Sequence, residues 1–204
     1  MIEFLIGTSL AASAGLNAWM PLFLLGLADR LLPPVQLPSA WAWLSSDPAL
    51  WIIGALLVLE IVADKIPALD SVNDIVQSVI RPAAGGIAFG AGAGAETLAV
   101  GDPAAFFADN AWVPVALGIA VALVVHVVKA STRVAANTTT AGMAGPVLST
   151  AEDGTSFLLA ALALTIPVLA GVVLIALVMG VVAITRRLRR RRERTRSAAG
   201  GIPT

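Results

Sequence analysis

Cysteine and tyrosine are absent from this 204-residue chain, histidine occurs once, and charged side chains make up only 13% of it. Without cysteine there are no disulfides, no thiolate metal ligands and no cysteine nucleophile. One histidine cannot build a histidine-rich metal centre, and the sequence holds no HExxH, GxSxG or GxxxxGK pattern. An intramembrane hydrolase or transferase would need a clearer nucleophile and base. The expectation is a protein that is not an enzyme and uses no metal and no cofactor. The shortage of charge is itself informative, because soluble domains run near ~25% charged residues. Here 58% of residues are hydrophobic and the mean hydropathy is +0.89. That composition belongs in a bilayer.

Six apolar stretches are present: Phe4–Ala28, Ala49–Ala63, Pro82–Val100, Ala111–Val128, Val134–Thr150 and Phe157–Thr185. A spanning helix needs ~20 mostly apolar residues, so six with short loops use nearly the whole chain. The gaps after the second and fourth hold Lys65, Arg81, Lys129 and Arg133, and eight arginines follow the sixth. The gaps after the first, third and fifth hold Arg30 alone, against Asp29, Asp47, Asp102, Asp109, Glu152 and Asp153. Loops rich in Lys and Arg lie on the cytoplasmic side. The reading is an all-α, polytopic bundle in a bacterial inner membrane with both termini cytoplasmic. Residues 1–185 form the bundle and 186–204 a basic tail without fixed structure. The first stretch is read as a span rather than a cleaved signal, since it lacks a basic start. The fifth carries no charge but little hydrophobicity, and a re-entrant fifth segment is the alternative. It would bring Glu152 and Asp153 to the basic side.

Between the second and third stretches, Ser71 and Asp74 have the spacing of a capping box. Val72, Ile75, Val76, Val79 and Ile80 then share one face, opposite Asp74, Gln77, Ser78 and Arg81. This predicts a short amphipathic helix or the polar inner end of the third span, separated from the glycine-rich part by Pro82. A weak internal repeat is visible on shifting the chain by 64 positions, which matches Gly54 with Gly118, Asn73 with Asn137 and Pro82 with Pro146.

Glu60 and Asp64 lie one helical turn apart beside Lys65, and His126 and Lys129 lie at the matching end of the fourth span. Ionisable groups within a membrane are costly and often mark ion or proton routes. A polar site can thus be assembled from Glu60, Asp64, Lys65, Asp70, Asn73, Asp74, Arg81, His126, Lys129, Arg133, Asn137 and Thr138, with Glu60 paired to His126. The bland reading is interhelical pairing with snorkelling side chains at the water boundary. Ser9, Ser13 and Asn17 repeat every four residues and either line a pore or hold helices together. Gly86, Gly90 and Gly94 form overlapping GxxxG patterns, a small-residue face for helix packing within the chain or between copies in a homo-oligomer, with Ala88 on another face. The arginine run suits anionic lipid headgroups; no aromatic interleaves it, so nucleic acid is not expected.

Glu60-Ile-Val-Ala-Asp64-Lys65-Ile-Pro67-Ala-Leu-Asp70, continuing to Arg81-Pro82 and Gly85, resembles a pattern in bacterial integral membrane proteins of the domain-of-unknown-function 4126 family. Lys129-Ala-Ser131-Thr132-Arg133, then Asn137-Thr138 and Glu152-Asp153-Gly154, is similar too, as is Gly15-Leu-Asn17-Ala. The resemblance runs from about Ala12 to Gly154. It implies a compact multi-span membrane protein and supplies no activity or ligand. The functional expectation is binding or passage of a small ion or polar solute through the bundle. The rival is a structural or lipid-associated protein whose polar loops dock a partner or an anionic headgroup.

Overall fold

The computed structural model describes residues 1–101, 110, 112–140 and 143–199, with the side chains of 67–72, 137, 139, 184–185 and 188–199 outside that description. The described residues are all-helical. The helices are α1 (Ile2–Leu16), α2 (Trp19–Leu31), α3 (Asp47–Ala63), α4 (Pro67–Ala93), α5 (Trp112–Thr140), α6 (Gly145–Thr165) and α7 (Pro167–Ala199), with a 3-10 turn at Ala42–Ser45. Residues Met1–Gly171 form one compact unit and Val172–Thr204 a second. The part of α7 in the second unit continues through the arginine run as helix to Ala199, where the tail was expected to lack structure. Arginine is among the better helix formers, so nothing local stops the helix there.

The first expected span is in fact two helices. α1 ends at Leu16, and Asn17 takes an extended conformation at φ −143° and ψ 118°. The Asn17 side chain then caps the start of α2, its Oδ1 accepting from the backbone N–H of Trp19 at 3.2 Å and Met20 at 3.1 Å. Asparagine competes well for such free amides, which is why the chain turns here despite its unbroken hydrophobicity. Neighbours of α1 and α2 fix their directions. Along α1, Gly7 lies on Phe89 and Gly15 on Val125, whereas along α2, Ala18 meets Glu60, Phe23 lies on Gly54, and Arg30 pairs with Asp47. The two helices therefore form a hairpin. Its tip at Asn17–Ala18 is buried, and both open ends lie with the starts of α3 and α5.

That same end collects tryptophans. Trp51 and Trp112 sit in the first turns of α3 and α5, and Trp41 covers Gly90 near the end of α4. Pro38 lies on Gly94, and Gln36 pairs with Glu96 in an isolated bridge. The opposite end holds the short α3–α4 and α5–α6 connections.

α4 starts at Pro67, not at Ser71, and runs through Pro82 without a break. Its polar face is turned inward: Gln77 is 3% exposed and Arg81 fully buried, while Ile75 and Val79 are 74% and 75% exposed. An inside-out arrangement of this kind suits an apolar solvent. Two helical segments, Trp112–Ala136 and Gly145–Thr165, are long and apolar enough to cross a membrane; Ile2–Leu16 and Pro167–Ala183 are apolar but shorter. The expected fifth span, Val134–Thr150, is divided between the end of α5 and the start of α6, and the sixth is broken before Pro167. The repeat does not survive in three dimensions. Pro82 is deep inside α4 whereas Pro146 opens α6, and Asn73 follows a connection that Asn137 precedes.

Helix packing rests on a close approach that the GxxxG pattern only borders. A Cβ on Gly118 would run into the Gly85 carbonyl, and one on Gly85 into Ala122. Gly86 faces α5 at Val115 and Ile119, Gly90 lies between Val115 of α5 and Trp41 of the loop, and Gly94 is covered by Pro38. Ala88, expected on a freer face, is fully buried.

Candidate functional site

The hairpin tip ends in a buried cluster of charges. Glu60, near the end of α3, accepts from the Ala18 backbone N–H at 3.1 Å, an amide at the positive end of α2. It also accepts from Arg81 Nη2 at 2.9 Å and Nε at 3.3 Å. Arg81 is held further by His126, whose Nδ1 lies 3.1 Å from Nη1. A guanidinium only donates, so Nδ1 is the unprotonated nitrogen and the imidazole is neutral. Its Nε2–H then donates to Ser78 Oγ at 3.1 Å, and Ser78 donates to the Asp74 carbonyl at 2.9 Å. Glu60 and His126 thus belong to one site, joined through Arg81 rather than to each other.

A second group lies against the end of α1. Lys129 Nζ donates to the Leu16 carbonyl at 2.7 Å and to Asp64 Oδ2 at 3.1 Å, and lies 3.2 Å from Glu152 Oε2. Arg133, one turn on, donates through Nη2 to Glu152 at 2.6 Å and to Asp64 at 3.1 Å. The other Asp64 oxygen accepts from Asn73 at 2.7 Å. Burial alone would raise the Asp64 carboxyl, but Lys129, Arg133 and Arg81 outweigh it and hold Asp64, just past the apolar part of α3, below the usual carboxylate value.

A third group joins α6 to the hairpin. Asp153 accepts from Asn17 Nδ2 at 3.0 Å and from Lys65 Nζ at 3.0 Å. Next along α6, Ser13 and Ser156 exchange hydrogen bonds, each hydroxyl donating to the other's carbonyl, at 2.8 and 3.0 Å. Ser9, one turn further on α1, is buried without a partner for its hydroxyl. The serine stripe is therefore a packing seam at Ser13 and an unsatisfied position at Ser9.

Five carboxylates (Glu60, Asp64, Asp74, Glu152, Asp153) face four bases (Lys65, Arg81, Lys129, Arg133) among the described residues. Removing charges from water costs several kcal/mol per ion, and apolar replacements of similar shape are often at least as stable. A cluster of this size in an apolar bundle is poorly explained by stability alone.

The structure brings most of the expected residues together: Glu60, Asp64, Lys65, Asn73, Asp74, Arg81, His126, Lys129, Arg133, Ser13 and Asn17. Thr138 is exposed and bonds back to the Ala135 carbonyl, away from the cluster. The side chains of Asp70 and Asn137, and the loop Asp102–Asp109, lie outside the described residues. Sequence reasoning placed Glu152 and Asp153 on the far side of the membrane from Lys65 and Arg133. Their ion pairs with those bases overturn that placement. Ser78, Ser156 and the Leu16 carbonyl were missed. The first two share a helical face with Arg81 and Asp153, but a free carbonyl leaves no mark in a sequence.

The described residues form an all-helical bundle with polar groups inside, and two of its helices are long and apolar enough to cross a membrane. The chain belongs to the DUF4126 family, described as a domain of unknown function, whose family model matches residues 4–187. No curated protein and no solved structure matches it.

Proposed function

We propose that the chain is a multi-pass membrane protein that binds or passes a small ion through the charged cluster at the hairpin tip. The observation that carries this reading is the interruption between Leu16 and Trp19, with one helix end facing Lys129 and the other Glu60. Interrupted helices whose ends meet charges at membrane depth are the common construction of ion sites in transporters. On this reading α1 and α2 dip in from the tryptophan end without crossing, and α3, α4, α5 and α6 cross. Tryptophans suit the headgroup level, and the bases Lys65, Lys129 and Arg133 favour a cytoplasmic position for the charged end. The amino terminus then lies outside. The docking alternative needs the polar groups to face the cytoplasm, whereas Glu60, Asp64, Lys129 and Arg133 are each 3% exposed or less.

The test is cation and proton flux into vesicles reconstituted with the purified protein, comparing the wild type with Glu60→Gln. Passage through the cluster predicts flux in the wild type and its loss in Glu60→Gln while the variant remains folded. Equal flux in the two proteins would sink the reading.

A further inference from the structure

We propose that Lys129 is a tethered stand-in for a mobile monovalent cation, and that the oxygens around its ammonium form a cation site. This rests on the ion-binding reading above and names the class of ion. Three oxygens form the cage: the Leu16 carbonyl at 2.7 Å, Asp64 Oδ2 at 3.1 Å and Glu152 Oε2 at 3.2 Å. Leu16 is the last residue of α1, so its carbonyl lacks a partner within the helix and sits at the negative end of the dipole. At interrupted membrane helices such carbonyls hold the cation, and the following helix start holds an anionic group. Here the chain fills both places itself, with Lys129 at the carbonyl and Glu60 at the Ala18 amide.

Charge balance limits the ion. Asp64 and Glu152 bring two negative charges, and Arg133, bonded to both, returns one positive. A monovalent ion carries the same unit charge as the Lys129 ammonium, so the exchange leaves the charge of the cluster unchanged. The cage distances are also far longer than the ~2.0–2.1 Å that magnesium requires. The lysine stem is flexible and its head compact, so it can leave and return as a unit. Glu152, with a side chain 13% exposed, is the more accessible of the two cage carboxylates. One turn before it on α6, Ser149 is fully buried and its hydroxyl has no hydrogen-bond partner among the described residues.

The experiment is thermal unfolding of the full-length protein and of Lys129→Met in detergent micelles, in potassium, sodium or choline chloride at equal ionic strength. Choline carries the same charge but is too bulky for the cage. Lys129→Met should unfold earliest in choline, and potassium or sodium should raise its midpoint saturably, by about 5–10 °C at a hundredfold excess over the dissociation constant. The wild type, its cage filled, should not distinguish the three salts. Adding Asp64→Asn to Lys129→Met should abolish the response. An identical midpoint for Lys129→Met in all three salts would overturn the proposal. If Lys129→Met does not fold in choline, Lys129→Gln, which keeps a donor for Leu16, is measured in its place. Failure of both variants to fold in every salt also overturns it, because no ion then replaces the ammonium. Ion-specific stabilisation without flux through the wild type would leave the site standing and remove the passage reading. Flux without ion-specific stabilisation would do the reverse.

Discussion

Removing both partners of the Glu60–Arg81 pair should cost less than the two single losses added together. In Glu60→Gln the side-chain shape and the acceptor for the Ala18 amide survive, but Arg81 is left with Asp64 at 3.7 Å and Asp74 at 3.8 Å as its nearest carboxylates. Hydrogen bonds to charged groups are worth roughly 1.5–3 kcal/mol, so a loss of about 2–3 kcal/mol is expected. Arg81→Met is harsher. It strips Glu60 of two hydrogen bonds at 2.9 and 3.3 Å and leaves His126 Nδ1 without its donor, with a buried carboxylate uncompensated. That falls in the ~3–5 kcal/mol range of a broken buried pair. The double variant should cost about as much as Arg81→Met alone, because the second change removes the charge the first one stranded. At ~2–4 °C per kcal/mol for a chain of this size, midpoints should fall by about 4–12 °C, 6–20 °C and 6–20 °C respectively. The assay is thermal unfolding of the three purified variants in one detergent at constant salt. A double variant whose loss equals the sum of the two single losses within about 0.5 kcal/mol would refute the argument, since residues that do not interact add in this way.

Glycine substitutions should sort by what a new Cβ meets. Gly118→Ala presses on the Gly85 backbone and should cost ~1–3 kcal/mol, whereas Gly154→Ala meets nothing within 4 Å and should be neutral or stabilising by about 0.5–1 kcal/mol, read as midpoints in the same assay. Single cysteines introduced into the cysteine-free chain should report sidedness. Ser46 should react with an impermeant reagent in intact cells, and Ala151, beside Glu152, only after permeabilisation; reaction of Ala151 in intact cells would return the charged end to the outside.

The all-helical class was legible in the composition, in few charges and many long apolar runs. Much of the charged site was legible too, because Glu60, Arg81, Lys129 and Arg133 are conspicuous in such a background. The helix breaks were not. Phe4–Ala28 has hydropathy enough for one straight span, and only the capping geometry of Asn17 tells the chain to turn, a choice decided by Glu60 and Asp153 far along the sequence. The misplacement of Glu152 and Asp153 has the same origin. Counting charges per loop treats each as facing water, yet these two are neutralised by Arg133, Lys129 and Lys65 within the bundle. The glycine pattern was read on the right helix but one residue off, since Gly85, outside the GxxxG register, makes the closest approach.

The hairpin also imposes an order on biosynthesis. Its two helices are made before the helices they pack on, and apart from the Asn17 cap the side chains that satisfy its tip come later: Glu60 on α3, Lys129 on α5, and finally Asp153 and Ser156 on α6. A nascent chain stopped before α6 would lack the partners that Asn17 Nδ2 and the Ser13 hydroxyl find on Asp153 and Ser156. A segment made before its partners is therefore among the last to settle, and its final position is decided by residues more than a hundred places downstream.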